Sequence, residues 1–229
     1  MTSSGPSPYI EPRPQAASVQ IIHTSLPLYI LVERRPRPDS PNFVEIGCQM
    51  QHGVRGMLVY RSLIDAMLER YTRNRHGGNY LIIPFGRIDP RLHLRAHNDC
   101  LTVYLAYGFA ARGNHLVLNE QGDLSVRSQG THFQIAPETA HHFHLNFSVE
   151  WMEPLHAKVQ MHDYDHMVRE LADAASTAQI DRLARTALQR IDKPVSGGDI
   201  THCALYDHIE QRWRFVANAD VDLPGAWLS

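Results

Sequence analysis

Cysteine is scarce. The 229-residue chain has three, Cys48, Cys100 and Cys203. They lie far apart with no CxxC pair, which excludes a disulfide framework and a thiolate zinc site and fits a reducing cytoplasm. No apolar run approaches the ~20 residues of a membrane span. The opening stretch from Met1 to Gln15 has neither a basic start nor an apolar core, so no export signal is expected. Phosphate-cradling loops are missing as well. No GxGxxG opens a helix, no GKS/T occurs, and the pairs Gly77-Gly78 and Gly197-Gly198 lack a strand-then-helix setting. Charge of one sign is also lacking: 22 Lys+Arg stand against 24 Asp+Glu. The chain therefore has no global field to attract nucleic acid or an anionic membrane, and neither is an expected partner.

What is present is an ordinary globular composition, 43% hydrophobic and 20% charged, with fifteen histidines. An unperturbed imidazole titrates near ~6.5, so mild acidification turns the chain from weakly acidic to basic. Residues 1–18, with Pro6, Pro8, Pro12 and Pro14, read as a disordered lead. Beyond it the pattern divides into an α+β module over 19–92, an antiparallel β segment over 93–160, and two helices with a hairpin over 161–229. The alternative is one continuous domain from residue 19.

Strands are expected at Leu28–Val32, Phe43–Ile46, Met57–Tyr60 and Tyr80–Ile83, the last stopped by Pro84. The Arg/Pro-rich loop between the first two reads as a solvated turn. Ser62, with Asp65 three residues on, predicts a helix start, and Leu63, Met67 and Tyr71 fall on one face with Ile64 and Leu68. Leu101–Phe109 is apolar on both faces and belongs at a sheet centre. A hairpin turn is expected at Asn119–Asp123, where Gly122 suits positive φ. Two helical faces follow, Met167 to Ala175 and Ile180 to Ile191, with Ser176-Thr177 as turn and cap, and then a hairpin of Cys203–Tyr206 and Trp213–Val216. The fold class is α+β: a mainly antiparallel sheet or partial β-barrel, one helix in the N-terminal half, two in the C-terminal half, and a closing hairpin.

The chemistry concentrates between Gly130 and His166, which holds seven of the fifteen histidines. Phe143, Leu145, Phe147, Val149 and Trp151 alternate with His142, His144, Asn146, Ser148 and Glu150, the pattern of a half-buried strand. Its histidines are either solvent-facing or metal ligands. His162 and His166 stand four apart, and Asp163 or Asp165 suits the N-cap of the helix that follows. Cys100 beside Asp99 and Cys203 beside His202 are the cysteine nucleophile candidates, and both read as buried, inert thiols. Arg87, Arg91 and Arg95 read as loop charges.

Gly130, Pro137, His142 and Asn146 together resemble the second motif of the cupin family. Thr139 stands where that family usually has Gly, and Gly130 lies one residue farther from Pro137 than the motif has it. The resemblance implies a small β-barrel holding iron, manganese or zinc. His93, His97, Asp99 and either His141 or His142 would then be ligands, with Asn146 supporting them, and the activity would be that of a metal-dependent oxygenase or isomerase. Separately, residues 28–85, where Tyr60-Arg61-Ser62-Leu63-Ile64 leads a strand into an amphipathic helix, resemble SseB-like accessory domains and imply a non-catalytic role. With no complete catalytic constellation in the pattern, the leading expectation is a cytoplasmic, non-catalytic binding or accessory protein recognising a protein or small ligand. The alternative is the cupin-like metalloprotein.

Overall fold

The computed structural model describes residues 22–24, 26–35, 38, 44–88, 94, 100–134, 143–145, 147 and 149–221. The expected lead at 1–18 lies outside them. The apolar runs of the N-terminal half fold as β2 (Tyr29–Arg34), β3 (Val44–Ile46), β5 (Val54–Tyr60) and β6 (Tyr80–Pro84), after a short β1 (Ile22–Thr24). The polar β4 (Cys48–Gln51) was not legible as a strand. It pairs with β5 through a two-residue turn in which His52 and Gly53 have φ of 49° and 76°, the paired positive values that a tight I′-type hairpin needs. Helix α1 (Leu63–Arg75) starts where the sequence predicts, with the Ser62 side chain accepting from the Asp65 N–H. Leu63, Ile64, Met67 and Leu68 are buried along it.

The second half supplies β7 (Cys100–Arg112), β8 (His115–Leu118), β9 (Val126–Gln134), β10 (Phe143–Leu145), β11 (Val195–Ser196), β12 (His202–Asp207) and β13 (Arg212–Ala217). Four α-helices are present among the described residues: α1, the short α2 (Glu153–Lys158), α3 (Tyr164–Ala174) and α4 (Thr177–Gln189). The C-terminal half thus holds three helices where two were expected. Six residues are too few to display a helical period, which is why α2 was hidden. Ser176 caps α4 through a reciprocal capping box with Gln179. No described helix is long and apolar enough to cross a membrane.

The sheet is mixed, not mainly antiparallel. Its central pairing, β5 with β7, is parallel from Met57↔Val103 to Tyr60↔Ala106. The connection between these strands carries α1 and β6, enough chain to bring β7 back in the direction of β5, whereas a hairpin would reverse it. The histidine-rich strand is also shorter than expected. Among the described residues of this stretch the strand is β10, paired in parallel with β1, and Glu150–Met152 is a 3₁₀ turn leading into α2.

Strand β7 is buried from Leu101 to Ala111, as its two-sided apolar character requires. The strands beside it curl into an open half-barrel. Gln51 Nε2 donates to Ser128 Oγ at 2.8 Å, and Ser128 Oγ donates to Gln49 Oε1 at 2.7 Å, which joins β4 to β9 across two intervening strands. Helices α1 and α4 cover one face, around Leu58, Tyr60 and Phe109. The opposite face is covered by Phe85, Ile88, Leu94, Leu145, Phe147 and Val149, with α2 and the start of α3 packed on its far end around Tyr107 and Leu205. A bulge between Ala106 and Gly108 reverses which alternate residues face α1, so that Tyr104 and Phe109 share a cluster.

The curl depends on two glycines. A Cβ on Gly56 would lie 2.7 Å from Tyr104 Cε2 and 2.9 Å from the Thr102 carbonyl oxygen, and one on Gly130 would lie 2.8 Å from Tyr104 Cε1. The Tyr104 ring therefore lies between them, its hydroxyl donating to the Val54 carbonyl at 2.8 Å. Gly130, the residue that opens the cupin-like run, makes room for this ring. Gly56→Ala is expected to destabilise the protein by about 2 kcal/mol in urea denaturation, because a backbone oxygen cannot step aside. A loss within about 0.5 kcal/mol would mean that the ring and strand yield.

Candidate functional site

Arg61 follows directly on β5, a position that sends its side chain into the core. It is 4% exposed and must be paired to be tolerated there. Its Nη2 donates to Asp165 Oδ1 on α3, its Nη1 reaches Met152 Sδ at 3.0 Å, and its guanidinium carbon lies 5.8 Å from the centroid of the Tyr164 ring. One side chain thus ties the β5–α1 junction to the 3₁₀ turn and to α3.

Asp65, in the first turn of α1, accepts from the Tyr164 hydroxyl at 3.4 Å. Desolvation raises its carboxyl to about 7, against the lowering effects of Tyr164 and Arg61. The Tyr164 hydroxyl is itself pushed well above its ordinary value, first by burial and then by Asp65. His156 on α2 packs on Tyr164 with ring centroids 4.3 Å apart and is 6% exposed. Burial, followed by the Arg61 charge, pushes its imidazole down to about 4. Its Nε2 is buried and has no hydrogen-bond partner among the described residues.

The turn after α2 shapes what lies outside this cluster. Gln160 adopts φ of 59°, its N–H bonds the Ala157 carbonyl at 3.0 Å, and the Met161 N–H bonds the His156 carbonyl at 2.8 Å. This is a Schellman closure with glutamine at the position glycine usually takes. It reverses the chain so that α2 and α3 flank a hollow of about 480 Å3. Glu153, His156, His162, Asp163, Asp165 and His166 line it, and Val149 and Ala157 add apolar surface. Asp163 stands at the N-cap of α3, but its side chain makes no capping bond. Asp165 is engaged with Arg61. Asp163, one of the two carboxylates expected there, thus takes the N-cap position of α3 without a side-chain capping bond. His166 lies 4.0 Å from Glu170.

The expected metal ligands His93, His97, Asp99, His141 and His142, with Asn146, lie outside the described residues. Among the described residues no group of three His, Cys, Asp or Glu side chains comes together to hold a metal ion. His132 is exposed, with Nδ1 2.9 Å from Thr102 Oγ1. Cys203 is fully buried and its thiol is pushed up to about 12 by desolvation, so it carries no thiolate at neutral pH. Arg35, in the Arg/Pro-rich loop, is held by Glu33 at 2.7 Å and Glu45 at 3.3 Å, while Arg91 and Arg95 lie outside the described residues. Arg61, Asp65, Tyr164 and His156 were not singled out as site residues by sequence. Three lining histidines do fall in the histidine-rich stretch.

Searches against protein-family models, curated proteins and solved structures return no match to this chain.

Proposed function

We propose that this chain is a non-catalytic binding protein that receives a small ligand or a partner's side chain in the hollow between α2 and α3. The observation that carries the reading is the hollow itself, about 480 Å3 and lined by Glu153, His156, His162, Asp163 and His166, hydrogen-bonding side chains beside the apolar surface of Val149 and Ala157. A concave surface of this kind offers a ligand hydrogen-bonding groups and apolar contact together. The support behind it is stiff. Arg61 holds Met152 and Asp165, Tyr164 backs His156, and the closure at Gln160 fixes the angle between the helices, so little order remains to be created on binding.

Imidazole-detected NMR on the full chain tests this, using mixtures of small amines, carboxylates and neutral amides. Hits are expected to shift the His156, His162 and His166 resonances before those of His52, His115 or His208. Shifts gathered at the groove lined by Arg35, Arg55 and Arg73, or none at any histidine of the hollow, would defeat the reading.

A further inference from the structure

We infer that His76 and Asp123 form a proton-operated clasp that holds the β8–β9 hairpin against the end of α1, tight in mild acid and looser in mild base. The clasp stands apart from the hollow and does not depend on it. Its geometry begins with a turn built as a unit. Asn119 Oδ1 accepts from the N–H groups of Gln121 and Asp123 at 3.0 and 2.9 Å, and the Asn119 N–H donates to the Asp123 carbonyl at 2.9 Å. Asp123 is thereby fixed in place. Beside it Gly122 has φ of 81°, and a Cβ there would lie 3.6 Å from both Cε1 and Nε2 of His76, so the turn backbone rests against the imidazole. His76 is the C-cap of α1. Its Nε2 lies 3.6 Å from Asp123 Oδ1, within ion-pair range and beyond a hydrogen bond.

The contact is short of positive charge. Asp123 Oδ1 and Glu69 Oε2 are both buried, and neither has a hydrogen-bond partner among the described residues. Glu69 Oε1 accepts from Arg73 Nε at 2.7 Å, which engages that guanidinium. Burial raises the Glu69 carboxyl, Arg73 lowers it, and the Asp123 charge raises it again, so the two carboxylates lie within each other's field. Tyr60 on β5 and Tyr80 on β6 also face Glu69 or Arg73 and bring no cation. An imidazolium at His76 supplies what Asp123 lacks. Arg75, in the last turn of α1, opposes that charge, whereas the carbonyl end of the helix favours it. The His76 side chain is 52% exposed and that of Asp123 14%, so the ring trades protons with water while the carboxylate is shielded from it. Once the ring is neutral the charge attraction is gone and the hold weakens. Opening would uncover Leu118 and Leu124 at the base of the hairpin, which pack in the cluster beneath α1.

Amide hydrogen exchange of the full chain at about pH 5.5 and about pH 8, read by NMR as protection factors, tests this on either side of the range in which imidazoles titrate. The reporters are the Asn119 N–H and the Ser125 N–H, which donates to the Val117 carbonyl at 3.0 Å. At the lower pH the parent is expected to protect both ~5-fold better than His76→Gln or Asp123→Asn, and at the higher pH the advantage closes. His76→Lys, charged at both pH values, should keep the protection at both.

An advantage over His76→Gln that is equal at the two pH values would make the contact one of packing. Protection in Asp123→Asn that matches the parent at the lower pH would show the histidine acting on the helix end alone. A loss of the same size between the two pH values in His76→Gln would put the proton on Glu69. Each of these results overturns the clasp.

Discussion

Asp165→Ala is expected to destabilise the protein by about 3 kcal/mol, and Arg61→Met by only about 1 kcal/mol, although both remove the same ion pair. The asymmetry follows from where each charge would be left. The Arg61 side chain is 4% exposed and that of Asp165 is 42% exposed. Without Arg61, the carboxylate turns to water and methionine fills the guanidinium's place beside Met152. Without Asp165, a guanidinium stays in the core with a thioether and an aromatic face for company. Urea denaturation of the two variants at neutral pH and moderate salt measures this, and equal losses would mean that Arg61 finds water or another carboxylate.

Acid affects the two titratable neighbours of Tyr164 in opposite directions. The folded pKa of Asp65 is raised from its ordinary 3.8 to about 7, so the folded state holds a proton that the unfolded state lacks between those values. Its contribution to stability therefore grows as pH falls from 7 towards 4. The folded pKa of His156 is lowered from 6.5 to about 4, so the unfolded state takes the extra proton across that window. Its contribution is present above 6.5 and is lost as pH falls to 4. Each effect is on the order of 3 kcal/mol, and over the shared window they largely cancel.

The variants should separate them. Relative to the parent, Asp65→Asn loses stability as pH falls from 6.5 to 4, and His156→Gln gains it over the same interval. Denaturant midpoints taken every half unit of pH give the two slopes. Slopes of the same sign in both variants would refute the assignment of a proton to Asp65 and of a neutral ring to His156.

Local signals in the chain were legible. Ser62 and Ser176 each cap a helix because a side-chain oxygen within three residues of a free N–H is a short-range matter, and the two-sided apolar run at Leu101–Phe109 could only sit at a sheet centre. Polar β4 is a strand because its neighbours make it one, and its own residues do not announce it. The site was illegible for the same reason: Arg61 lies 104 residues from Asp165 and 91 from Met152, and Asp65 lies 99 from Tyr164. These contacts exist only after the sheet has curled. The histidine-rich stretch drew attention to the right part of the chain through its alternation, yet His156, whose imidazole is the most perturbed there among the described residues, sits on a helix too short to register.

Strand β7 touches β5 and β12 along one rim and β9 and β8 along the other. During synthesis β9 arrives soon after β7, but Phe109, Ala110 and Ala111 wait for Ala204, Cys203 and His202. Until those residues leave the ribosome, a fully apolar rim stands open to other nascent chains. That edge of β7 is thus covered only once β12 has been made, long after β7 itself.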